Sequence, residues 1–458
     1  MSLLEAPPDA PVAARRVPRT TGERLHLVLL SVVVVLLLVV RQTRIIPRTG
    51  LGFSPAQLLI ALCIIGWALQ SIARLRAHEG AAPRWTKLLV LAQLAVVLLS
   101  YSVAMGQRLS DAQLTAGSGA LQRSLLVALL MLFVLDVLRD SQDVEAVLRW
   151  LVVAAAIAAV LALAEAFTGR ALGAWVPPGL QALPEIEISF SRAGQGRPQG
   201  TAGHPLELGA VMSSLTPIAL GLYFLARRRG DPSLRWAVAT GLIAGAGLIS
   251  LSRSVVVTLV LAIAVMATAW PWRRTLAVVG IGVVGLVVAL LSGLRLLNTF
   301  ITLFATAGTD SSLASRAVGR TQAADIFAAH PILGGGLGTY SQTSDHVLDN
   351  QYLSTLVEQG LLGVVALLAL LVAAAFCALR ARRSADGVTA ELGAALLGSL
   401  VVLLGVNAIL DTAGFAQISI ITPLLIAFAF ALRPPVQDVG TTVGEGSSTT
   451  QAPPPAST

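Results

Sequence analysis

His330-Pro331-Ile332-Leu333-Gly334-Gly335-Gly336-Leu337-Gly338 and Asp349-Asn350-Gln351-Tyr352-Leu353 lie in a polar, glycine-rich stretch, Asp310 to Gly363, within an otherwise almost continuously apolar chain. The contrast decides the fold class. With 55% hydrophobic and 12% charged residues, the chain falls outside the composition of soluble domains and reads as an all-α polytopic membrane protein. Non-helical backbone at membrane depth is tolerated only where protein or a water-filled cavity covers it. A stretch this polar in such a chain therefore marks a site of use.

Working outward, apolar runs long enough to cross about 30 Å of hydrocarbon begin near Leu25, Ser54, Lys87, Gly119, Glu145, Pro205, Trp236, Ser254, Thr275, Gln351, Ala390 and Phe415. They give about twelve transmembrane helices with a large extracytoplasmic loop between spans 9 and 10. The tails, 1–23 and 434–458, are rich in Pro, Ala, Ser, Thr and Gly, cannot bury a core and are expected to be disordered. The membrane domain is then 24–433, with outer loops 169–204 and 298–350. The basic start at Arg15, Arg16, Arg19 and Arg24 runs into Leu25–Val40 without a small-residue cleavage site, so that run reads as the first span.

Basic residues orient the chain. Arg74, Arg76, Arg84 and Lys87 share one loop and Arg227, Arg228, Arg229 and Arg235 another; Arg273 with Arg274, and Arg380, Arg382 and Arg383, occupy two more. All four loops fall on the side of both termini, which the positive-inside rule makes cytoplasmic. The loop with Arg41, Arg44 and Arg48 runs against the rule. The net charge of +8 is thus a topology signal and implies no nucleic acid. Cys63 and Cys377 lie far apart in apolar runs and read as small core residues.

Three separated stretches then face outward and can carry chemistry. In Leu251-Ser252-Arg253-Ser254 a permanent cation sits between apolar helices, where it needs hydration or a partner; the plainer reading is a snorkelling interfacial anchor. Arg316 and Arg320 are four apart and share a helix face, so two guanidinium forks can meet one polyanion; the plainer reading is a solvated face. Arg197, in the turn-rich approach to a span, reads as a substrate contact or as a solvent-exposed residue. Together these cations, without an acidic pair or a His motif for a metal, suit a lipid-linked pyrophosphate, whose oxygens arginine binds bidentately. No metal and no cofactor is implied.

For the group acting on an acceptor hydroxyl the outward candidates are His346, Asp349 and Glu358, followed by His204, His330 and Glu207. His330 precedes Pro331 and reads as a turn-shaping residue. Glu358, inside a predicted span, calls for a buried partner such as an arginine. The glycines from Gly334 to Gly338 lack the strand-to-helix context and the lysine of a nucleotide loop. They read as a flexible turn that folds the outer segment back on the membrane.

At these residues the chain resembles the O-antigen ligase and polymerase superfamily of bacterial polytopic membrane glycosyltransferases. The family's Ser-Arg turn is matched by Ser252-Arg253, its loop arginine by Arg316 and its glycine segment by His330 to Gly338. The closing pattern, His-Asn-x-Tyr-Leu then Glu-x-Gly-Leu-x-Gly, is matched at Asn350, Tyr352, Leu353, Glu358, Gly360, Leu361 and Gly363. Asp349 stands where the ligases carry a histidine, which favours a polymerase over a ligase.

The resemblance implies about twelve spans with cytoplasmic termini in the bacterial plasma membrane. It also implies extracytoplasmic transfer of an oligosaccharide from undecaprenyl pyrophosphate to an acceptor sugar hydroxyl in surface polysaccharide assembly. Arg253 and Arg316 would hold the pyrophosphate, and Asp349 or His346 would serve the acceptor. Membrane lipid, a chain-length regulator and a flippase are the further partners implied. A twelve-span transporter or flippase is the competing class; the missing two-half symmetry and the charge-poor span centres speak against it.

Overall fold

The structure is a computed structural model that describes residues 21–47, 52–73, 82–182, 191–192, 195–291, 311–340 and 348–434; side chains at 191–192, 195, 286, 288–291 and 311–317 fall outside that description. Thirteen helices occur among the described residues. They are α1 (Thr21–Val39), α2 (Pro55–Ala73), α3 (Arg84–Met105), α4 (Asp111–Val137), α5 (Ser141–Thr168), α6 (Pro205–Arg229), α7 (Leu234–Ile249), α8 (Arg253–Ala267), α9 (Trp272–Leu291), α10 (Ser311–Ala329), α11 (Gln351–Ala381), α12 (Gly387–Asn407) and α13 (Ile418–Ala431). Strand is confined to two-residue pieces in two small hairpin-like ladders. The chain is an all-α polytopic membrane protein, with eight helices long and apolar enough to cross a membrane by length and composition, and α7, α8 and α13 shorter apolar helices.

Ten of the twelve starts read from the sequence fall on one of these helices, and Ser54 and Phe415 lie just ahead of α2 and α13. The largest difference is at α4, which begins at Asp111 rather than near Gly119. Local chemistry explains it. Ser110 and Gln113 form a capping box that satisfies two amides of the first turn, so the helix starts within polar residues that hydropathy alone leaves outside.

The core is built around α6, which is buried along nearly its whole length, and α12, which packs along it. Between lipid-facing helices the hydrophobic effect does not separate protein from solvent, so close backbone approach decides the packing. A Cβ on Gly221 would lie 2.6 Å from that of Ala395, so a glycine is required where the two helices touch. Helices α1, α5 and α7 close one flank and α3, α4, α11 and α13 the other.

Charge organises the arginine-rich end. Arg229 grips Glu145 through Nη1 to Oε1 at 2.6 Å and Nη2 to Oε2 at 2.8 Å, joining α6 to α5. Arg274 grips Glu391 at 2.5 and 3.1 Å and stacks over the Phe224 ring, joining the start of α9 to α12 and α6. At the opposite end, the arginines that contradict the orientation rule prove to be structural. Arg41 and Arg44 are buried; Arg41 donates to Gln199 Oε1, and Arg44 Nη2 donates to the Ala174 carbonyl at 2.6 Å. The Arg44–Ile45 strand pairs antiparallel with Gln181–Ala182. These cations stitch the first loop to the 169–204 segment; Arg48 lies outside the described residues.

Candidate functional site

The glycine segment is a packed element, which corrects the expectation of a flexible turn. Helix α11 breaks at Gly360, whose φ of 65° and ψ of −162° lie outside the helical region. A broken helix in a membrane leaves amides and carbonyls without partners, at a cost of several kcal/mol for each unsatisfied group. Here the 331–336 backbone supplies them. Leu361 N and Leu362 N donate to the carbonyls of Pro331 (2.9 Å) and Ile332 (3.3 Å), while Gly335 N and Gly336 N donate to those of Val357 (2.7 Å) and Glu358 (3.0 Å). Ser100 Oγ on α3 also donates to the Glu358 carbonyl at 2.6 Å.

The exchange demands glycine. A Cβ on Gly360 would sit 2.3 Å from the Ile332 carbonyl oxygen, and one on Gly336 would sit 2.7 Å from the Ala104 Cβ at positive φ. The segment therefore lies wedged between α3, the start of α4 and the broken α11. Its Gly338 amide donates to the Glu358 carboxylate.

Beneath the wedge opens a cavity of about 600 Å³ between α3, α4, α11, α12 and α13. Arg123, Tyr340, Glu358, Asn407 and Asp411 line it. Glu358 is half-buried at the helix break, with the Arg123 guanidinium and the Asp411 carboxyl within electrostatic reach. The arginine that the sequence called for beside Glu358 is thus Arg123, at the middle of α4. Asp411 lies in the connection between α12 and a short 3-10 turn, Thr412–Gly414. Burial first, and then the Asp349 carboxylate, push its carboxyl up to about 6, against the pull of the Gly414 and Ala413 amides and of Arg123. Asp411 lines the cavity, and Asp349 lies within electrostatic reach of it, next to Leu348, which also lines the cavity.

The motif residues around Asp349 build its frame. Asn350 caps α11, its Oδ1 accepting from the amides of Tyr352 (2.9 Å) and Leu353 (3.1 Å). Tyr352 donates its hydroxyl to the Leu404 carbonyl on α12 at 2.9 Å, and the Gln351 amide group receives Ala413 N (2.7 Å) and Thr412 Oγ1 (3.1 Å). These bonds hold the start of α11 against the turn that follows Asp411. His346 lies outside the described residues.

Among the described side chains, Arg197, Arg253 and Arg320 are not among those that line the cavity. Arg253 is the first residue of α8, half-buried, after a turn in which buried Leu251 takes the left-handed φ of 52°. For a branched side chain such a conformation costs about 1–3 kcal/mol and persists only where its surroundings enforce it. Arg197 helps to enforce it, because its Nε donates to the Ser250 carbonyl at 2.9 Å. Arg197 is thus drawn to the turn that presents Arg253. Arg320 is exposed on α10; Arg316 lies on the same helix, with its side chain outside the described set.

Three further candidates serve structure. His204 caps α6, its Nδ1 accepting from Leu206 N at 3.0 Å; burial and then Arg197 pull its imidazole down to about 4, which keeps that nitrogen free to accept. Glu207, 1% exposed, accepts from the amides of Gly203 (2.8 Å), Gln417 (2.6 Å) and Ile418 (3.3 Å), tying α6 to the start of α13. His330 is exposed just past the end of α10, where its amide closes the last turn on the Ile326 carbonyl.

Arg123 and Asp411 are the residues that sequence reading missed. Each is a charge within an apolar run, Arg123 at Gln122-Arg123-Ser124 and Asp411 at Leu410-Asp411-Thr412, and the intramembrane cost of such a charge is the signal that marks them.

Residues 237–368 match the model of the O-antigen ligase family. The match runs from α7 through the Arg253 turn, α10, the glycine segment and the broken part of α11; it stops short of Arg123, Arg197 and Asp411. No curated protein matches the chain.

Proposed function

We propose that the chain is a member of the O-antigen ligase and polymerase superfamily, whose ligase model residues 237–368 match, and that it transfers an oligosaccharide from undecaprenyl pyrophosphate to an acceptor sugar hydroxyl at the outer face of the plasma membrane, as a polymerase. The observation that carries this reading is the Asp411 carboxyl lining a cavity that Leu337 and Gly338 of the glycine segment also line, with Asp349 within electrostatic reach of it. The acceptor hydroxyl oxygen attacks the anomeric carbon of the donor as its bond to the pyrophosphate oxygen breaks. The hydroxyl proton passes to the Asp349/Asp411 pair, and the leaving polyprenyl pyrophosphate keeps the bonding electrons. Arg253 and Arg316 neutralise that leaving group, the task for which bidentate guanidinium donors are suited. Arg320 adds charge on the same helix as Arg316, and Arg197 acts by holding the turn before Arg253. Glu358 anchors the wedge through Gly338 and borders the acceptor. The transfer is read as independent of metal.

The active face is read as extracytoplasmic and the termini as cytoplasmic, with 24–433 as the membrane domain; a flippase delivering the donor and a chain-length regulator fit the same reading. Cells lacking the protein are expected to show single repeat units where wild-type cells show long surface polysaccharide. Long chains left on the carrier would instead assign a ligase, and an unchanged gel would return the transporter class. Arg253→Ala and Arg316→Ala are each expected to abolish complementation with normal protein levels in the membrane. Full complementation by either would remove that arginine from the site.

A further inference from the structure

Helix α4 carries three charged side chains, Asp111, Arg123 and Asp136. Two of them are accounted for by their places. Asp111 opens the helix, where the dipole favours an anion, and Asp136, near its other end, receives Lys87 from α3. Arg123 stands between them at the middle of a span, where a cation is kept only beside a counter-charge or a water-filled cavity. Its side chain turns back toward the Asp111 end, since Nη1 lies 3.7 Å from the place of a Cβ on Gly119. That end of α4 is where the glycine segment packs: the Gly117 Cα lies 2.6 Å from the place of a Cβ on Gly338.

Charge balance gives this turn a use. Among the described residues that line the cavity, Arg123 is the one cation, Glu358 and Asp411 are the carboxyl groups, and Tyr340 is the one further titratable group. Helices α3, α12 and α13 contribute neutral side chains, such as Gln93, Asn407 and Thr422. Asp411 meets Asp349 from just before α11, Glu358 from the break in α11, and Arg123 from α4. Like charges disfavour the ionised carboxyl, so among these side chains Arg123 alone favours it, aided by the Gly414 and Ala413 amides. Arg229 and Arg274 are each clamped on one glutamate by two hydrogen bonds. Arg123 makes no such clamp among the described residues and acts on both carboxyl groups through space.

Resting on the transferase reading above, we propose that Arg123 is a positioning residue for that reaction, which works through Asp411: its charge keeps the Asp411 carboxyl ionised, and so able to take the acceptor proton, against the repulsion of Asp349 and Glu358. Its contribution is charge at this place, so a lysine replaces it and a neutral side chain does not.

The test follows transfer by the full-length protein in liposomes across pH. A cation that favours the ionised form holds a carboxyl down, so its removal moves the acid limb upward. In Arg123→Gln the limb is expected to rise by about one pH unit, the lower end of the effect of a neighbouring charge. Arg123→Met is run beside it, because an apolar chain in a membrane span retains folded protein where a polar one can lose it, and the same rise is expected. Arg123→Lys is expected to restore the wild-type limb. Arg108→Gln, which removes an exposed cation in the link between α3 and α4, outside the lining, should leave both limb and rate unchanged. A lower rate with an unmoved limb in the neutral variants, or a lysine variant that shifts as far as they do, overturns the inference. Arg123→Gln combined with Asp411→Asn is expected to lose no more than about twofold beyond Asp411→Asn alone, as for residues that act as a unit. A further tenfold loss would mean that Arg123 acts elsewhere, and would overturn the inference as well. If Asp411→Asn keeps the wild-type limb, the proton-acceptor reading fails and this inference falls with it; if Asp411→Asn abolishes the limb while the neutral variants leave it in place, this inference alone fails.

Discussion

At the scale of single residues, the site separates two jobs that the sequence had left mixed. Cations and carboxyl groups were both expected near the outer loop, but Arg253 and Arg197 gather at the turn before α8, while Asp349, Glu358, Asp411 and Arg123 gather at the cavity. The Asp411 carboxyl, raised to about 6, sets a pH limb. A carboxyl with a raised pKa is protonated below that value and then takes no proton from an acceptor hydroxyl. Transfer by the purified protein in liposomes is therefore expected to fall as pH drops through about 6. In Asp411→Asn the limb should disappear together with most of the rate, roughly the 10²–10⁴-fold worth of a general base. A variant that kept the wild-type profile would exclude Asp411 from the proton path.

At the scale of elements, the glycine segment and the break in α11 form one unit, since each satisfies the backbone groups that the other leaves open. Gly336 meets the backbone of Ala104 on α3 at a φ of 113°, so a side chain there is excluded both by contact and by conformation. Gly336→Ala is expected to lose transfer and to lower the melting temperature of the detergent-solubilised protein, with a cost of order 1–3 kcal/mol from overpacking alone. Gly285→Ala, on α9 with nothing within 4 Å of the added carbon, is the matched control. Equal behaviour of the two would show that the wedge is not tightly held. The positions of these elements were legible in the sequence, because Gly360, Asn350 and the run from Gly334 to Gly338 are punctuation with a direct backbone meaning. Their mutual pairing was not, because hydrogen bonds between Gly335 and Val357, or between Leu361 and Pro331, join residues that no local period relates. Arg123 was passed over for the same reason: its counter-charges, Glu358 and Asp411, come from helices far along the chain.

At the scale of the whole molecule, the apolar runs fixed where helices form, and what they could not fix is which helices touch. Apolar runs end in opposite situations: α6 is buried along nearly its whole length, whereas α9 shows exposed residues such as Leu276, Ile281 and Val284. Where α6 meets α12, Gly221 faces Ala395 and lets the two backbones approach closely. That contact carries a consequence for the site, because α12 also supplies Asn407 and leads into Asp411. Pushing α6 and α12 apart should therefore displace the cavity wall as well as weaken the bundle. Gly221→Leu is expected to reduce folded membrane protein severalfold and to abolish transfer by what remains, whereas Gly241→Leu, on α7 with no neighbour within 4 Å of an added carbon, should leave both unchanged. Fluorescence-detected size exclusion of the two variants beside wild type, with transfer measured on the same fractions, decides the matter. A monodisperse and active Gly221→Leu protein would mean that the α6 and α12 contact does not position the site.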